Sequence, residues 1–346
     1  MSNRLKWLMI VAVAVVAMGA TTIVGVFAWQ QYQQRSHAPS SVETTAPSGW
    51  DSGDRIVFRN TAPGQGYGYV SSVALADPAG SRAITGTACD RVDAVAAEFS
   101  CLRTVRGIAP TYTGTLYSND GTELQTWPLS GVPSRTRISA DGSLIASTAF
   151  VTGHSYATVG FSTDTRIHRA DTGEDYGNLE DWTLIIDGAP STPVDRNYWG
   201  VTFVDDNMFY ATAGLTTTGV TYLVVGDIAA RTLTSVTGTV ECPSLSPDGT
   251  KIAFKRVISG SGPTVHWTPA IYDIDSGTVE LLPEERSIDD QIEWLDDDTI
   301  LYGVPRSDTA GDSDVWSLRI DGSAEPEILI EHAWSPSVVR ADAGAR

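Results

Sequence analysis

Side chains able to make and break bonds are few and scattered in this chain. Its five histidines are His37, His154, His168, His266 and His332. No two stand at the i, i+4 or His-x-His spacing that brings imidazoles to one metal, and no Cys-x-x-Cys accompanies them. Histidines satisfied one by one are the reading this spacing favours, with no metal site and no cofactor. Carboxylates are more crowded: Asp308, Asp312 and Asp314 share RSDTAGDSDVW, and Asp296, Asp297 and Asp298 form a run. Oxygen ligands suit calcium, but neither stretch is a twelve-residue loop ending in glutamate. Asp205–Asp206 and Asp289–Asp290 are adjacent pairs. Glycosidic cleavage needs two carboxylates facing each other across a sugar, and neighbours on a strand point to opposite faces. A nucleophilic serine would sit in Gly-x-Ser-x-Gly. The nearest context, Gly153-His154-Ser155-Tyr156, lacks the second glycine. No catalytic residue is assigned.

Two stretches suit contact better than catalysis. VTGHSYATVGFSTDTRIH, from Val151 to His168, mixes glycine with aromatic and hydrogen-bonding side chains. As a strand it would send Tyr156, Val159 and Phe161 into a core. As a long loop it would offer His154, Ser155 and Tyr156 to a partner. Asn197, Tyr198 and Trp199, in the segment from Asp195 to Trp199, form a second and weaker candidate surface.

The elements that must position these residues come from a repeat. LSPDGTKIAF (Leu245 to Phe254) is a tight turn followed by an alternating strand. Proline presets φ, aspartate bonds backbone two residues on, and glycine accepts positive φ. Variants recur as ISADGSLIAS (Ile138 to Ser147), FVDDNMFYA (Phe203 to Ala211) and WLDDDTILYG (Trp294 to Gly303). A second hairpin type turns near residues 77, 120, 171, 227, 275 and 321, at spacings of roughly 43 to 56 residues. Two hairpins per period make four strands. The pattern predicts an all-β chain: a six-bladed β-propeller of four-stranded antiparallel blades over residues 54–340, with 341–346 as a disordered tail. AWSPSVVR (Ala333 to Arg340) looks like the opening strand that the first unit lacks. The C-terminal strand is therefore expected to complete the first blade, close the ring and remove exposed sheet edges.

SPDG turns followed by I-A-F and then Y-x-x-D resemble the repeats of TolB-like, WD-like β-propellers of membrane-anchored actinobacterial type. The resemblance covers about residues 54 to 340, and its aspartates and glycines are turn residues first. It implies a non-catalytic protein-binding or scaffold module of the cell envelope, with an unidentified envelope protein as partner. Two alternatives stand beside it: a propeller hydrolase or lyase acting on glycans or peptides, and a propeller that senses a ligand or cation. Against the first, no nucleophile motif or accompanying catalytic domain is found. The tryptophans at strand positions, Trp182, Trp199, Trp267, Trp294, Trp316 and Trp334, suit packing between blades.

Residues 7 to 29 carry no charge, enough to span a bilayer as a helix. Arg4 and Lys6 precede the stretch and only Arg35 follows closely, so residues 1–6 are expected in the cytoplasm and the rest outside. A signal peptide cleaved near Ala28 is the rival, disfavoured by the length of the apolar run. Residues 30–53, rich in Gln, Ser, Thr and Pro, read as a flexible linker. After position 35 there are 20 basic and 42 acidic residues, a net charge of −22, which argues against nucleic acid as a partner. Outside the cytoplasm a cysteine pair tends to oxidise. Cys89 and Cys101 flank a hairpin-like segment and are expected to form a disulfide, leaving Cys242 as a buried apolar residue.

Overall fold

The SPDG turn folds as its residues dictate. In the computed structural model, which describes residues 3–37, 40–46, 48–107, 109–151 and 162–341, Asp248 accepts hydrogen bonds from Ser246 Oγ at 2.6 Å and from the Thr250 amide at 3.0 Å. Gly249 takes φ +73°. Ser139, Asp141 and Ser143 repeat the arrangement at 2.6 and 3.0 Å. The Ser246 hydroxyl, with help from Thr250 and against burial, holds the Asp248 carboxyl down to about 2. Asp248→Ala is expected to cost about 1 kcal/mol, measured by urea unfolding at neutral pH.

These turns join strands into six sheets. Blade 1 holds Arg55–Asn60, Tyr69–Ala74 and Arg82–Ala88, with Ala333–Val339 beside the first and Thr44–Thr45 outermost. Blade 2 runs Arg91–Ala94, Glu98–Val105, Thr111–Ser118 and Glu123–Pro128. Blade 3 runs Val132–Ile138, Leu144–Val151, Ser162–Arg169 and Asp175–Asn178. Blade 4 starts at Arg196–Phe203, continues through Met208–Leu215, Val220–Asp227 and Thr232–Gly238, then adds Thr183–Ile186 and Ala189–Ser191 on the outside. Blade 5 comprises Glu241–Leu245, Lys251–Ser259, His266–Asp273 and Val279–Leu281. Blade 6 comprises Glu293–Asp296, Thr299–Pro305, Ser313–Arg319 and Glu327–Ile330.

Alternation along these strands sends apolar side chains to both faces of a blade, so the core is divided. Six apolar clusters form, one between each neighbouring pair of blades. The pair made by blades 6 and 1 is included, where Leu301, Val315 and Ile330 meet Ile56, Phe58 and Val73. The innermost strands follow one another around a common axis.

Two expectations are corrected here. The blades are not uniformly four-stranded, since blade 1 has five strands and blade 4 has six. Nor is the ring closed in the sense expected. Ala333–Val339 pairs antiparallel with Arg55–Asn60, yet among the described residues no sheet is closed by hydrogen bonds and each sheet keeps two edges. Blades meet through side chains, and a ladder between sheets is geometrically excluded when they stand face to face.

The inner strands of blades 1, 4 and 5 share a bulge. Register shifts fall between Trp199 and Thr202, between Glu241 and Ser244, and opposite the step from Val57 to Arg59. Gly200, Cys242 and Ser335 lie within these steps and take φ of +67°, +52° and +56°. A Cβ on Gly200 would sit 2.5 Å from Cys242 Cα, so glycine is required where blades 4 and 5 approach.

The helix Asn3–His37 precedes the blades. Its stretch Arg4–Gln30 has a mean hydropathy of 2.4 and is not buried, which fits either a membrane anchor or a signal sequence. Within the segment 30–53, Thr44–Thr45 pairs parallel with Arg82–Ala83, and Trp50 is buried with its indole donating to Asn119 O at 2.9 Å.

Candidate functional site: the two levels of the propeller axis

Each inner strand carries a polar residue followed by an apolar one: Asp93-Ala94, Arg137-Ile138, Thr202-Phe203, Ser244-Leu245, Glu293-Trp294 and Ser337-Val338. The apolar member packs outward between blades. The polar member faces the axis, so one polar side chain per blade forms a belt under a cavity of about 470 Å³ at the lower mouth, where the inner strands end.

The belt fastens blade to blade. Asp93 Oδ2 accepts from the Ile138 amide at 2.7 Å, Thr202 Oγ1 from Leu245 at 3.2 Å, Glu293 Oε1 from Val338 at 3.1 Å, and Ser337 Oγ from Ala94 at 3.0 Å. Each of these bonds runs from one blade to the next, and together they stand in for the absent ladder between sheets. Arg137 lies at the centre. It donates to Glu293 and, at 3.0 Å, to Ile292 O, with Ser244 Oγ at 3.3 Å and Asp93 Oδ1 at 3.5 Å. Burial pushes the Asp93 and Glu293 carboxyls up, against the pull of Arg137. On Arg137 burial acts downward, and Glu293 and Asp93 outweigh it to raise the guanidinium.

The upper mouth, where the inner strands begin, is different. A cavity of about 340 Å³ is walled by Trp199, Trp267, Arg135, Lys255, Glu241 and Asp289, with Phe150 at its rim and Cys242 at its back. Lys255 Nζ meets Asp289 Oδ1 at 2.6 Å and lies 4.7 Å from the centre of the Trp267 ring. Trp267 Nε1 donates to Glu241 Oε2 at 3.2 Å. Burial pushes the Glu241 carboxyl up, outweighing Lys255 and the Trp267 indole. Asp290 turns the other way, receiving Arg91 at 2.9 Å and the Ser335 amide at 3.0 Å. The adjacent pair Asp289–Asp290 thus diverges.

Of the residues singled out from sequence, His154, Ser155 and Tyr156 lie outside the described residues. Asn197 is buried and bridges Thr163 N, Thr216 Oγ1 and Asp195 O. Tyr198 lies wholly within the cluster between blades 3 and 4. Trp199 alone of the three borders the upper cavity. Cys89 and Cys101 are bridged, with Cα atoms 5.4 Å apart, and Cys242 is free and buried. The acidic stretch after Asp308 turns inward: Arg306 pairs with Asp314 at 2.8 Å, and His332 Nδ1 lies within hydrogen-bond distance of Asp312 at 2.7 Å. Among the described residues no group of three or more His, Cys, Asp or Glu side chains could hold a metal ion. His168 packs on Trp127 at 4.9 Å, and burial lowers its pKa.

The belt and the upper cavity escaped sequence reading because their members come one per blade. The signal that would reveal the belt is the polar–apolar pair recurring once in each inner strand.

No family description and no curated protein matches this sequence. Among solved structures the chain is similar to TolB from Acinetobacter baumannii, with a TM-score of 0.57 and 16% identity over 84% of this chain and 67% of that one. The fold is a six-bladed propeller. It is also similar to an oligogalacturonate lyase in complex with manganese, with a TM-score of 0.47 and 11% identity over 77% of this chain and 73% of that one. A Mycobacterium tuberculosis puromycin-hydrolyzing peptidase matches at TM-score 0.47 and 12% identity, over 86% of this chain and 48% of that one. A fold by itself does not fix function, which rests on the residues of the site.

Proposed function

We propose that this chain is a TolB-like binding module, held outside the cytoplasm by its N-terminal helix, that receives an envelope protein at its upper mouth. The observation that carries this reading is the contrast between the two levels of the axis. The belt groups are bonded into neighbouring blades. The upper cavity keeps aromatic and charged walls around open space. The Cys89–Cys101 bridge suits an oxidising compartment, and the positive flank before the helix suits a cytoplasmic N-terminus. Crosslinking in native membranes followed by mass spectrometry tests it. One reproducible partner is expected; only diffuse, irreproducible adducts would sink the reading.

A second reading, an enzyme acting on glycans or peptides, is favoured by one observation. Glu241 has a raised pKa in a cavity shared with Lys255 and Cys242, as general acid chemistry would require. Turnover by the full chain that Glu241→Gln abolishes, with partner capture intact, would establish it.

A further inference from the structure

Arg135 and Lys255 reach the upper cavity from blades 3 and 5 and meet on one oxygen, Asp289 Oδ1, at 3.2 and 2.6 Å. The exposures are reversed from those of an ordinary surface pair. The Arg135 and Lys255 side chains are 7% and 3% exposed, whereas that of Asp289 is 63% exposed. Two buried cations therefore share one carboxylate that water already reaches, on the irregular segment before Glu293–Asp296. Arg135 Nε, also buried, has no hydrogen-bond partner among the described residues.

We propose that the upper cavity binds a carboxylate borne on an apolar or aromatic body, with Lys255 and Arg135 taking that carboxylate in place of Asp289. Trp199 and Trp267 flank the body. The inference rests on the upper mouth being the binding face and adds the class of ligand. Cations buried in a low-dielectric wall hold an anion more strongly than exposed ones, and a cavity of about 340 Å³ falls in the range that encloses small ligands. Glu241 is held by the Trp267 indole at 3.2 Å, and burial pushes its carboxyl up, which lessens its opposition to the anion. At the lower mouth Arg137 is already held by Asp93 and Glu293, and Asp296 and Asp297 also line that cavity, so the same ligand is less favoured there. Asp289 then acts as a tethered competitor that a ligand displaces.

The test is calorimetric titration of the full chain in detergent with 3-phenylpropionate, N-acetylphenylalanine and the neutral 3-phenylpropionamide. At least one acid is expected to bind saturably and the amide not. The better acid tells whether a free acid or a peptide terminus fits. Lys255→Met should weaken binding about tenfold or more, as the loss of a charged hydrogen bond requires. Asp289→Asn should strengthen it by about tenfold, since the competitor is gone. A cooperative thermal unfolding transition like that of the parent chain confirms that each variant is folded, and the shift produced by the acid should be larger in Asp289→Asn than in the parent chain. Equal binding of acid and amide, weaker binding by Asp289→Asn, or no saturable binding of either acid overturns the proposal. If the acids fail while mouth crosslinks persist in Lys255→Met, the ligand class alone is wrong and the binding-module reading stands.

Discussion

Arg137→Met is expected to destabilise the chain by about 3–5 kcal/mol at pH 8, the usual penalty for stranding buried charge. Methionine fills the space of the arginine stem but leaves Asp93 and Glu293 facing each other with no cation between them. The cost must depend on pH, with a sign fixed by the directions of the shifts. Both carboxyls already sit above their ordinary values in the folded chain. A group raised in this way contributes stability that is fully present below its unfolded pKa and lost as pH rises through its folded pKa. Removing Arg137 raises both carboxyls further, so the penalty is largest at pH 8 and shrinks as pH falls toward about 4, the unfolded carboxylate range. Glu293→Gln is the companion variant. It keeps an acceptor for the Val338 amide and leaves Asp93 to balance Arg137, so its cost should stay within about 1 kcal/mol. Urea unfolding at pH 5 and pH 8 measures both. A penalty for Arg137→Met that is small and independent of pH would remove the belt from the account.

The second large effect is expected on opening the disulfide. Cys89 follows the last long strand of blade 1 and Cys101 lies in the second strand of blade 2, opposite Val92, at a sequence separation of 12. Closing a loop of this length restricts the unfolded chain by about 3 kcal/mol. The double variant Cys89→Ser, Cys101→Ser should lose roughly that amount in denaturant unfolding. Both sulfurs sit in the cluster between blades 1 and 2, beside Val92 and Phe99, so the loss adds to weakened packing at that seam. A loss below about 0.5 kcal/mol, the size of an ordinary surface change, would show that the bridge does not hold the seam.

What could be read from sequence was local. The SPDG and SADG turns announce themselves because a turn's chemistry lies within four residues, and the count of their hairpins gives six blades. The disulfide was legible for the same reason, its partners lying only 12 residues apart on either side of a short hairpin turn. The extra strands of blade 4 were not. Thr183–Ile186 joins Thr232–Gly238 in parallel, a pairing with no connecting turn to mark it. Thr44–Thr45 likewise pairs in parallel with a strand almost forty residues on, from within a polar segment that reads as linker. The idea of edges removed by closure failed because it extended hairpin logic to the joins between blades. Those joins are made by apolar clusters and by side chains such as Asp93 and Thr202 reaching the next strand's amide. Trp199 stands out in the sequence only as part of the weaker candidate surface with Asn197 and Tyr198. Its neighbours in the cavity, Glu241, Lys255 and Asp289, come from other blades, and a single sequence carries no trace of that meeting.

The central claim is that the upper mouth is the binding face. It is tested most directly by placing a photo-crosslinking residue at Val132, exposed beside Phe150 at the start of the blade 3 inner strand, and separately at Leu124, exposed on the outer strand of blade 2. In native membranes the account predicts a discrete adduct from position 132 and none from position 124. Adducts of equal yield from both positions, or from position 124 alone, would contradict it.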